Sequence, residues 1–227
     1  MLLRLLGQMV LAAAIVNGAI VLQASPGRAE APSAPVRIVA LGDSLMAGYG
    51  LAPGESLPDE LQRLLKAAGR NVEIQNAGVS GDTTAGGLAR LDWSVPDGTD
   101  AVILELGAND MLTGLPVARA QANLAAIIER LKARQIGVLL VGMRASRSLG
   151  DDYANAFDRI FPDLAEKHGL ILYPFLLAGV ALDQKLNQSD GIHPNAEGVR
   201  KIAARMLPTV EQFVETVRKR KSSAAAK

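Results

Sequence analysis

Cysteine is absent from this chain of 227 residues, and histidine occurs only as His168 and His193. Without cysteine the protein can form no disulfide bond, use no thiol nucleophile and build no thiolate metal site. Two histidines alone supply too few ligands for a typical zinc site, so we expect no metal. Any histidine chemistry must therefore come from one of these two residues.

Aromatic residues are also scarce, at 4% of the chain. Glycine-rich phosphate-binding motifs are missing too: the first apolar segment continues into "LGDSLMAGYG", which matches neither G-x-G-x-x-G nor the P-loop. We therefore expect no nucleotide and, more generally, no cofactor. The composition, dominated by aliphatic residues, is typical of a globular α/β protein.

The formal net charge of +1 conceals an uneven distribution of charge. Two arginines and no acids lie in residues 1–29, and five basic residues and no acids lie in residues 218–227. Removing these seven positive charges leaves residues 30–217 with a net charge of −6. An acidic body of this kind argues against a surface that binds nucleic acid.

Residues 1–29 are predicted to be a secretory signal peptide. An apolar run from Met9 to Leu22 is followed by the small-x-small pattern Gly27-Arg28-Ala29. We expect cleavage after Ala29 and a periplasmic or secreted protein. Because the apolar run is long for a signal peptide, an uncleaved anchor in the inner membrane is the competing hypothesis.

Residues 218–227, "RKRKSSAAAK", are predicted to be a disordered basic tail, with weak attraction to anionic lipid as its alternative function. Membrane contact is thus expected only through an uncleaved N-terminus or weakly through this tail. Residues 30–217 are long enough to bury one large core. Neither a repeat nor a linker divides them, so we expect a single domain.

Short apolar segments alternate with helical patterns along this domain. The apolar segments have strand length and occupy residues 36–42, 72–78, 101–107, 137–143 and 170–175. The helical patterns occupy residues 59–69, 117–135, 153–169 and 195–217. Gly69 is a C-cap signal, Asn195 an expected N-cap, and Pro162 predicts a kink or a break. The alternation predicts a parallel sheet with helices on both faces, a three-layer α/β/α architecture.

Reactive groups in such a sheet gather beyond the carboxyl ends of the strands. Ser44 directly follows the first predicted strand, and a serine becomes a nucleophile when a base removes its proton. His168 ends a predicted helix, where a histidine ordinarily serves as a cation near the helix C-terminus, so His193 is the candidate base. Asp190 lies three residues earlier and can accept the imidazole Nδ1 proton. A surface turn that starts a helix is the competing interpretation of Asp190 and His193.

A serine nucleophile also needs hydrogen-bond donors for the oxyanion that forms during acyl transfer. The backbone N–H groups of Ser44 and Gly81 and the side-chain amide of Asn109 lie on three loops at this edge. We expect them to form an oxyanion hole, in which each donor contributes about 3–4 kcal/mol to transition-state stabilisation. Three further aspartates in these loops are interpreted as structural rather than catalytic: Asp43, Asp82 and Asp110.

Four blocks of the sequence resemble the SGNH/GDSL hydrolase family, most closely its bacterial arylesterase, acyl-CoA thioesterase I and lysophospholipase branch. The blocks are G-D-S-L at 42–45, N-A-G-x-S-G-D-T at 76–83, G-x-N-D at 107–110 and D-G-I-H-P-N at 190–195. The resemblance implies a flavodoxin-like, five-stranded parallel sheet of order 2-1-3-4-5. It also implies that Ser44, Asp190 and His193 are the catalytic residues. The oxyanion hole is implied to consist of Ser44, Gly81 and Asn109.

The expected function is that of a serine esterase, which hydrolyses aryl esters or short- to medium-chain acyl esters through an acyl-enzyme. Acyl thioesters and lysophospholipids are further expected substrates. The alternatives are a carbohydrate acetylesterase of the same family and a non-catalytic, flavodoxin-like binding module. Apolar residues near the loops are expected to line the substrate pocket, with core packing as their alternative role: Met111, Leu112, Leu115, Phe175, Leu176 and Leu177.

Overall fold

The computed structural model of the protein describes residues 34–225. The predicted signal peptide or anchor, residues 1–29, lies outside the described residues, so its cleavage stays a prediction. Among the helices within residues 34–225, none is both long enough and apolar enough to cross a membrane.

Five parallel strands form one sheet of order β2-β1-β3-β4-β5. The strands are β1 (Val36–Gly42), β2 (Val72–Gly78), β3 (Ala101–Glu105), β4 (Gly137–Val141) and β5 (Ile171–Tyr173). The order implied by the family resemblance is confirmed, and each strand lies within its predicted apolar segment.

Helices cover the sheet on both faces. In the described part of the chain they are α1 (Ser44–Ala47), α2 (Leu57–Ala67), α3 (Thr84–Ala89), α4 (Leu91–Ser94), α5 (Ala108–Leu112), α6 (Val117–Ala133), α7 (Asp151–His168) and α8 (Ala196–Ala225). The helices α2 and α8 pack together in one hydrophobic core, and α6 and α7 pack in a second. The three-layer α/β/α architecture is therefore confirmed.

Strand β1 contributes buried side chains to both hydrophobic cores. Ile38 and Ala40 are buried with α2 and α8, whereas Val39 and Leu41 are buried with α6 and α7. Because side chains alternate across a strand and both faces are covered, every position from Ile38 to Leu41 is apolar, and Arg37 at the start of the strand is the exposed exception. Such continuous apolar strands are typical of central strands in α/β proteins.

Helix ends follow the predicted capping signals. Gly69, directly after the C-cap of α2, has φ +74°, a left-handed conformation that glycine adopts without strain. The Asn195 side chain accepts hydrogen bonds from the backbone N–H groups of Glu197 and Gly198, each at 3.0 Å, at the start of α8. The predicted N-cap is therefore confirmed.

Of the kink or break predicted at Pro162, the break does not occur, because α7 continues from Asp151 to His168 with Pro162 inside it, and the kink stays a prediction. Pro162 lies on the exposed side of this helix. A carbonyl on that side can turn toward water when its amide donor is missing. Packing of the opposite face, which includes the buried Phe157 and Phe161, holds the helix together through the proline.

The predicted disordered tail is also wrong for its described part, because α8 extends to Ala225. Arg220 donates to the backbone carbonyl of Asp100 at 2.9 Å, and Lys221 forms an ion pair with the Asp100 carboxylate at 2.6 Å. These contacts attach the basic end of α8 to the segment before β3. The sequence pattern ends earlier because its last buried apolar residue is Val217.

Candidate active site

The site is built around a sharp turn between β1 and α1. Strand β1 ends at Gly42, Asp43 is the N-cap of α1, and Ser44 is the first residue of that helix. A Cβ atom on Gly42 would approach the Met46 side chain to 2.4 Å and the Glu105 carboxyl to 2.5 Å. Only glycine fits there, so the turn brings Ser44 to the carboxyl edge of the sheet.

Ser44, His193 and Asp190 form a continuous chain of hydrogen bonds. The Ser44 Oγ atom lies 2.9 Å from His193 Nε2, and His193 Nδ1 lies 2.7 Å from Asp190 Oδ2. With the proton on Nδ1 donated to Asp190, Nε2 accepts the hydrogen bond from the Ser44 hydroxyl. This is the arrangement in which a histidine can act as the base for a serine nucleophile.

The loop that carries His193 is closed by its own backbone contacts. Asp190 Oδ1 accepts from the N–H groups of Ile192 and His193 at 2.9 and 3.0 Å. Gly191, between Asp190 and Ile192, has φ +70°. Gln188 N–H donates to the His193 carbonyl at 2.8 Å. The surface-turn interpretation is therefore right about the local geometry, yet the same turn also directs the imidazole at Ser44.

Two contacts connect this loop to the segment after α1. The Gln188 side-chain amide donates to the carbonyls of Tyr49 and Pro194, at 2.7 and 3.0 Å. The Tyr49 ring lies against the imidazole of His193, with ring centroids 4.6 Å apart. The nucleophile and the base are thus held together by residues outside the triad, which the sequence motifs did not indicate.

The three predicted oxyanion donors lie on the expected loops. Within residues 34–225 the N–H groups of Ser44 and Gly81 make no hydrogen bond, so both remain available as donors. Gly81 has φ +83°, which favours glycine. The Asn109 side-chain amide donates to the Asp82 carbonyl at 2.8 Å and makes a long contact of 3.4 Å with the Asp43 carboxylate. Its second N–H is therefore only weakly engaged.

Asp190 has an electrostatic environment that favours its charge. Hydrogen bonds from the backbone and side chain of His193, together with the Ile192 amide, lower the pKa of Asp190 from 3.8 to about 2. Its side chain is 36% exposed. Asp190 is thus a carboxylate throughout the neutral range and can stabilise an imidazolium on His193.

Asp43 lies on the other side of Ser44 in the opposite environment. It is fully buried, and its Oδ1 atom accepts from the Leu45 N–H at 3.0 Å, so it is the N-cap of α1. This is a structural role, as we predicted for Asp43. Burial raises the pKa of Asp43 from 3.8 to about 6. Glu105 at the end of β3 is also fully buried, and burial beside Asp43 raises the pKa of Glu105 well above its usual range.

Asp82 and Asp110 both stabilise loops, which is the structural role predicted for them. Asp82 forms an ion pair with Arg90 at 2.6 Å, and the same guanidinium donates to the carbonyls of Ala77 and Gly42. Asp110 accepts hydrogen bonds from the N–H and hydroxyl of Thr84 at 2.8 and 2.6 Å. These contacts join the loops that follow β1, β2 and β3.

An apolar cavity of about 150 Å³ opens beside Ser44. Of the predicted pocket residues, five lie in its wall: Met111, Leu112, Phe175, Leu176 and Leu177. Leu115 does not line the cavity, and that prediction is wrong. Its N–H bonds back to the Asp110 carbonyl and its own carbonyl accepts from the Tyr153 hydroxyl at 3.0 Å, so the chain has turned toward α7.

The cavity wall also contains residues that no motif indicated. Met143 and Arg144 follow β4, and Ile192 lies in the His193 loop. The Arg144 guanidinium lies 5.3 Å from the centre of the Phe175 ring, a distance typical of a cation–π contact. A polar loop after the fourth strand was visible in the sequence, but its contribution to the wall was not.

His168 ends α7, as predicted, and lies away from the triad in a groove with Gly137 and Ile171, near the amino ends of β4 and β5. Desolvation and the nearby Lys167 and Lys132 lower its pKa. The expectation that His168 is a cation is therefore not supported. No group of three metal-ligating side chains occurs within the described residues.

The three-layer α/β/α fold, with a serine, a histidine and an aspartate at its strand ends, is that of a hydrolase, and comparisons with known proteins agree. Residues 40–201 match the GDSL-like lipase/acylhydrolase family. Esterase TesA of Pseudomonas aeruginosa is 35% identical over 78% of this chain and 89% of its own length. An arylesterase of Vibrio mimicus is 38% identical over 74% of this chain and 84% of its own.

Solved structures give the same assignment. The crystal structure of AlinE4, an esterase of the SGNH-hydrolase family, is 47% identical and superposes with a TM-score of 0.67 over 78% of this chain and 96% of its own. The chain therefore belongs to the GDSL-like lipase/acylhydrolase family.

Proposed function

We propose that this protein is a serine esterase that hydrolyses carboxylic esters through an acyl-enzyme. The observation that carries the proposal is the hydrogen-bonded chain from Ser44 through His193 to Asp190 beside an apolar cavity. Family membership and relatives named esterase and arylesterase support the same reaction class.

The reaction proceeds in two acyl-transfer steps. His193 Nε2 takes the Ser44 proton as Oγ attacks the ester carbonyl, and Asp190 stabilises the imidazolium. The oxyanion accepts hydrogen bonds from the Ser44 and Gly81 amides and from the Asn109 side chain. His193 then protonates the leaving alcohol or thiol, and water repeats the sequence on the acyl-enzyme.

The proposed substrates are aryl esters and short- to medium-chain acyl esters, with acyl thioesters and lysophospholipids as further candidates. The cavity of about 150 Å³ suits an acyl group of limited length, and its wall is mostly apolar. No observation favours a carbohydrate acetylesterase, whose substrate would need polar partners. A binding module would leave the Ser44, His193 and Asp190 chain without a role.

We also propose that residues 1–29 are a signal peptide and that residues from 30 onward act in the periplasm or outside the cell. The support is the apolar run and the Gly27-Arg28-Ala29 pattern. N-terminal sequencing of the exported protein tests this proposal. A new N-terminus at Glu30 is expected, whereas an intact Met1 would indicate the membrane-anchored alternative.

The decisive experiment measures hydrolysis of p-nitrophenyl esters from acetate to laurate by residues 30–227 and by Ser44→Ala. The variant should lose at least about a thousandfold in kcat. Ser223→Ala, which removes an exposed serine hydroxyl from α8, is the matched control and should be fully active. A folded Ser44→Ala protein with undiminished kcat would disprove the proposal. The chain-length profile of the wild type then defines the acyl specificity.

A further inference from the structure

Glu105 is the most unusual titratable group in the described structure. It ends the otherwise apolar strand β3, and its side chain is fully buried. Within residues 34–225 its Oε1 atom has no hydrogen-bond partner. An isolated buried carboxylate would be very costly, so this residue needs a physical explanation.

The surroundings of Glu105 connect it to the nucleophile. In the sheet Glu105 lies opposite Gly42, and the missing Cβ of that glycine leaves room for the carboxyl group. The Glu105 Oε2 atom accepts a hydrogen bond of 3.2 Å from the N–H of Asp43, the residue before Ser44. Glu105 therefore holds the backbone of the turn through the Asp43 N–H.

Among the residues that the structure describes, no cation pairs with Glu105, and its charged neighbour is Asp43. Asp43, the residue after Gly42, is a second buried carboxyl group, and Asp82 and His193 interact with it electrostatically. Arg90, a cation that contacts the same turn, is engaged by Asp82 and by the Gly42 carbonyl. Two adjacent buried carboxyls without a cation cannot both ionise, so one of them retains a proton.

The proton belongs on Glu105 rather than on Asp43. Asp43 accepts hydrogen bonds from the Leu45 N–H and the Asn109 amide, both of which favour a carboxylate. Glu105 accepts only one, from Asp43 N–H. Burial raises the pKa of both carboxyl groups, so the hydrogen bonds decide which of the two keeps the proton.

We propose that Glu105 is a neutral acid and a positioning residue for the esterase reaction. It holds the Asp43 backbone, and through Asp43 it aligns the Ser44 amide and the Asn109 side chain, two of the oxyanion donors. This inference rests on the proposed function of Ser44 and Asn109. A neutral Glu105 also keeps a second negative charge away from the oxyanion, which would otherwise be repelled.

The test compares Glu105→Gln with Glu105→Leu. Glutamine keeps the acceptor oxygen and stays neutral, so Glu105→Gln should retain kcat within about threefold. Leucine has similar bulk but accepts no hydrogen bond from Asp43, so Glu105→Leu should lose about 10- to 100-fold in kcat. Its KM should change little, because the cavity wall is intact. Both variants are checked for folding by circular dichroism.

Infrared spectroscopy of the full chain tests the protonation state directly. At a pH about two units above the Asp43 pKa of about 6, the wild type should show the C=O band of a protonated carboxyl group. Glu105→Gln should lose that band. Glu60→Gln, which removes a mostly buried glutamate paired with Arg63 on α2, should keep it.

Each outcome bears on the proposal separately from the esterase assignment. Equal losses of kcat in Glu105→Gln and Glu105→Leu would show that an ionised carboxylate is required and would overturn the proposal. Full activity of Glu105→Leu would do the same, and so would a wild-type spectrum without the band. If Glu105→Leu fails to fold, Glu105→Gln and the spectrum still decide. Failure of the wild type to hydrolyse any ester would instead disprove the proposed function.

Discussion

Two aspartates flank the nucleophile, and the protein treats them in opposite ways. Asp190 is partly exposed, accepts hydrogen bonds from the backbone and imidazole of His193, and has its pKa lowered to about 2. Asp43 is fully buried one residue from Ser44, and burial raises its pKa to about 6. The ionised carboxylate is therefore stabilised at Asp190 and destabilised at Asp43.

The difference shows that hydrogen-bond donors, rather than shielding from water, make a reliable carboxylate. In the Asp190 loop, two backbone N–H groups converge on a single oxygen. Such donors favour the charged form, whereas desolvation disfavours it. Asp190 is thus suited to stabilising the imidazolium form of His193. Asp43, together with Glu105, is suited to holding the turn.

The largest expected effect comes from Asp190→Asn. An asparagine amide would favour the wrong imidazole tautomer and could not stabilise the imidazolium, so kcat should fall by about 10³- to 10⁴-fold. The thermal midpoint at neutral pH should fall modestly, because the asparagine oxygen still accepts from the loop N–H groups whereas the favourable charge is lost. Single-turnover and steady-state hydrolysis of a p-nitrophenyl ester measure the effect. Asp183→Asn, in the loop just before, is the control and should be active; a mild Asp190→Asn phenotype would contradict the assigned role.

Asp43→Ala should affect stability as well as rate. The substitution removes the N-cap of α1 and should cost about 0.5–2 kcal/mol in the free energy of unfolding. It also leaves the Asn109 amide without its Asp43 contact, so kcat should fall by about 10- to 100-fold. Urea unfolding and ester hydrolysis test both parts. A large loss of kcat with unchanged stability would place Asp43 in the chemistry and remove its contrast with Asp190.

The pH dependence of stability should separate the buried pair from Asp190. Burial raises the folded-state pKa of Asp43 from 3.8 to about 6, and burial beside Asp43 raises that of Glu105 well above its usual range. Their contribution to folding is fully present below the unfolded-state pKa, and it is lost as the pH rises through the folded-state values. For Asp43 this window runs from 3.8 to about 6.

Wild type should therefore lose stability relative to Glu105→Gln as the pH rises above 4.5, the unfolded-state pKa of Glu105. Asp190, whose pKa is lowered, has the opposite sign: its contribution is present above 3.8 and is lost as the pH falls toward about 2. Urea midpoints over a pH series measure both trends. Parallel curves for wild type and Glu105→Gln would show that Glu105 gains no proton on folding.

The fold was largely predictable because its signals are local. Continuous apolar segments indicated the strands, and capping residues such as Asn195 indicated where helices begin. The course of α8 beyond Val217 was not predictable, because contacts with Asp100, 120 residues away, hold its last turns in place. The helix around Pro162 was predicted, and the break considered there is absent because tertiary packing overrides a local breaking signal.

Most of the site was predictable for a similar reason. The motifs place Ser44, Asn109 and His193 on loops whose strands are parallel, so their convergence follows from sheet order. Glu105 could have been noticed as the one acid within the apolar segment "AVILELG". The position of Leu115 and the cavity-facing Arg144 depended on loop paths that carry no periodic signal.

The smallest expected effect is on kcat/KM and comes from Arg144, a solvated charge that can be compared with the buried Asp43. Arg144 is exposed, lines the cavity and forms no ion pair within residues 34–225. For an ester whose acyl chain ends in a carboxylate, Arg144→Gln should lower kcat/KM by about two- to fivefold relative to the matching neutral ester. The effect should shrink as salt is added, because solvated charges are screened. Arg159→Gln, on the exposed side of α7, should leave the ratio unchanged. An equal ratio in Arg144→Gln would mean that this cation serves only to pack against Phe175.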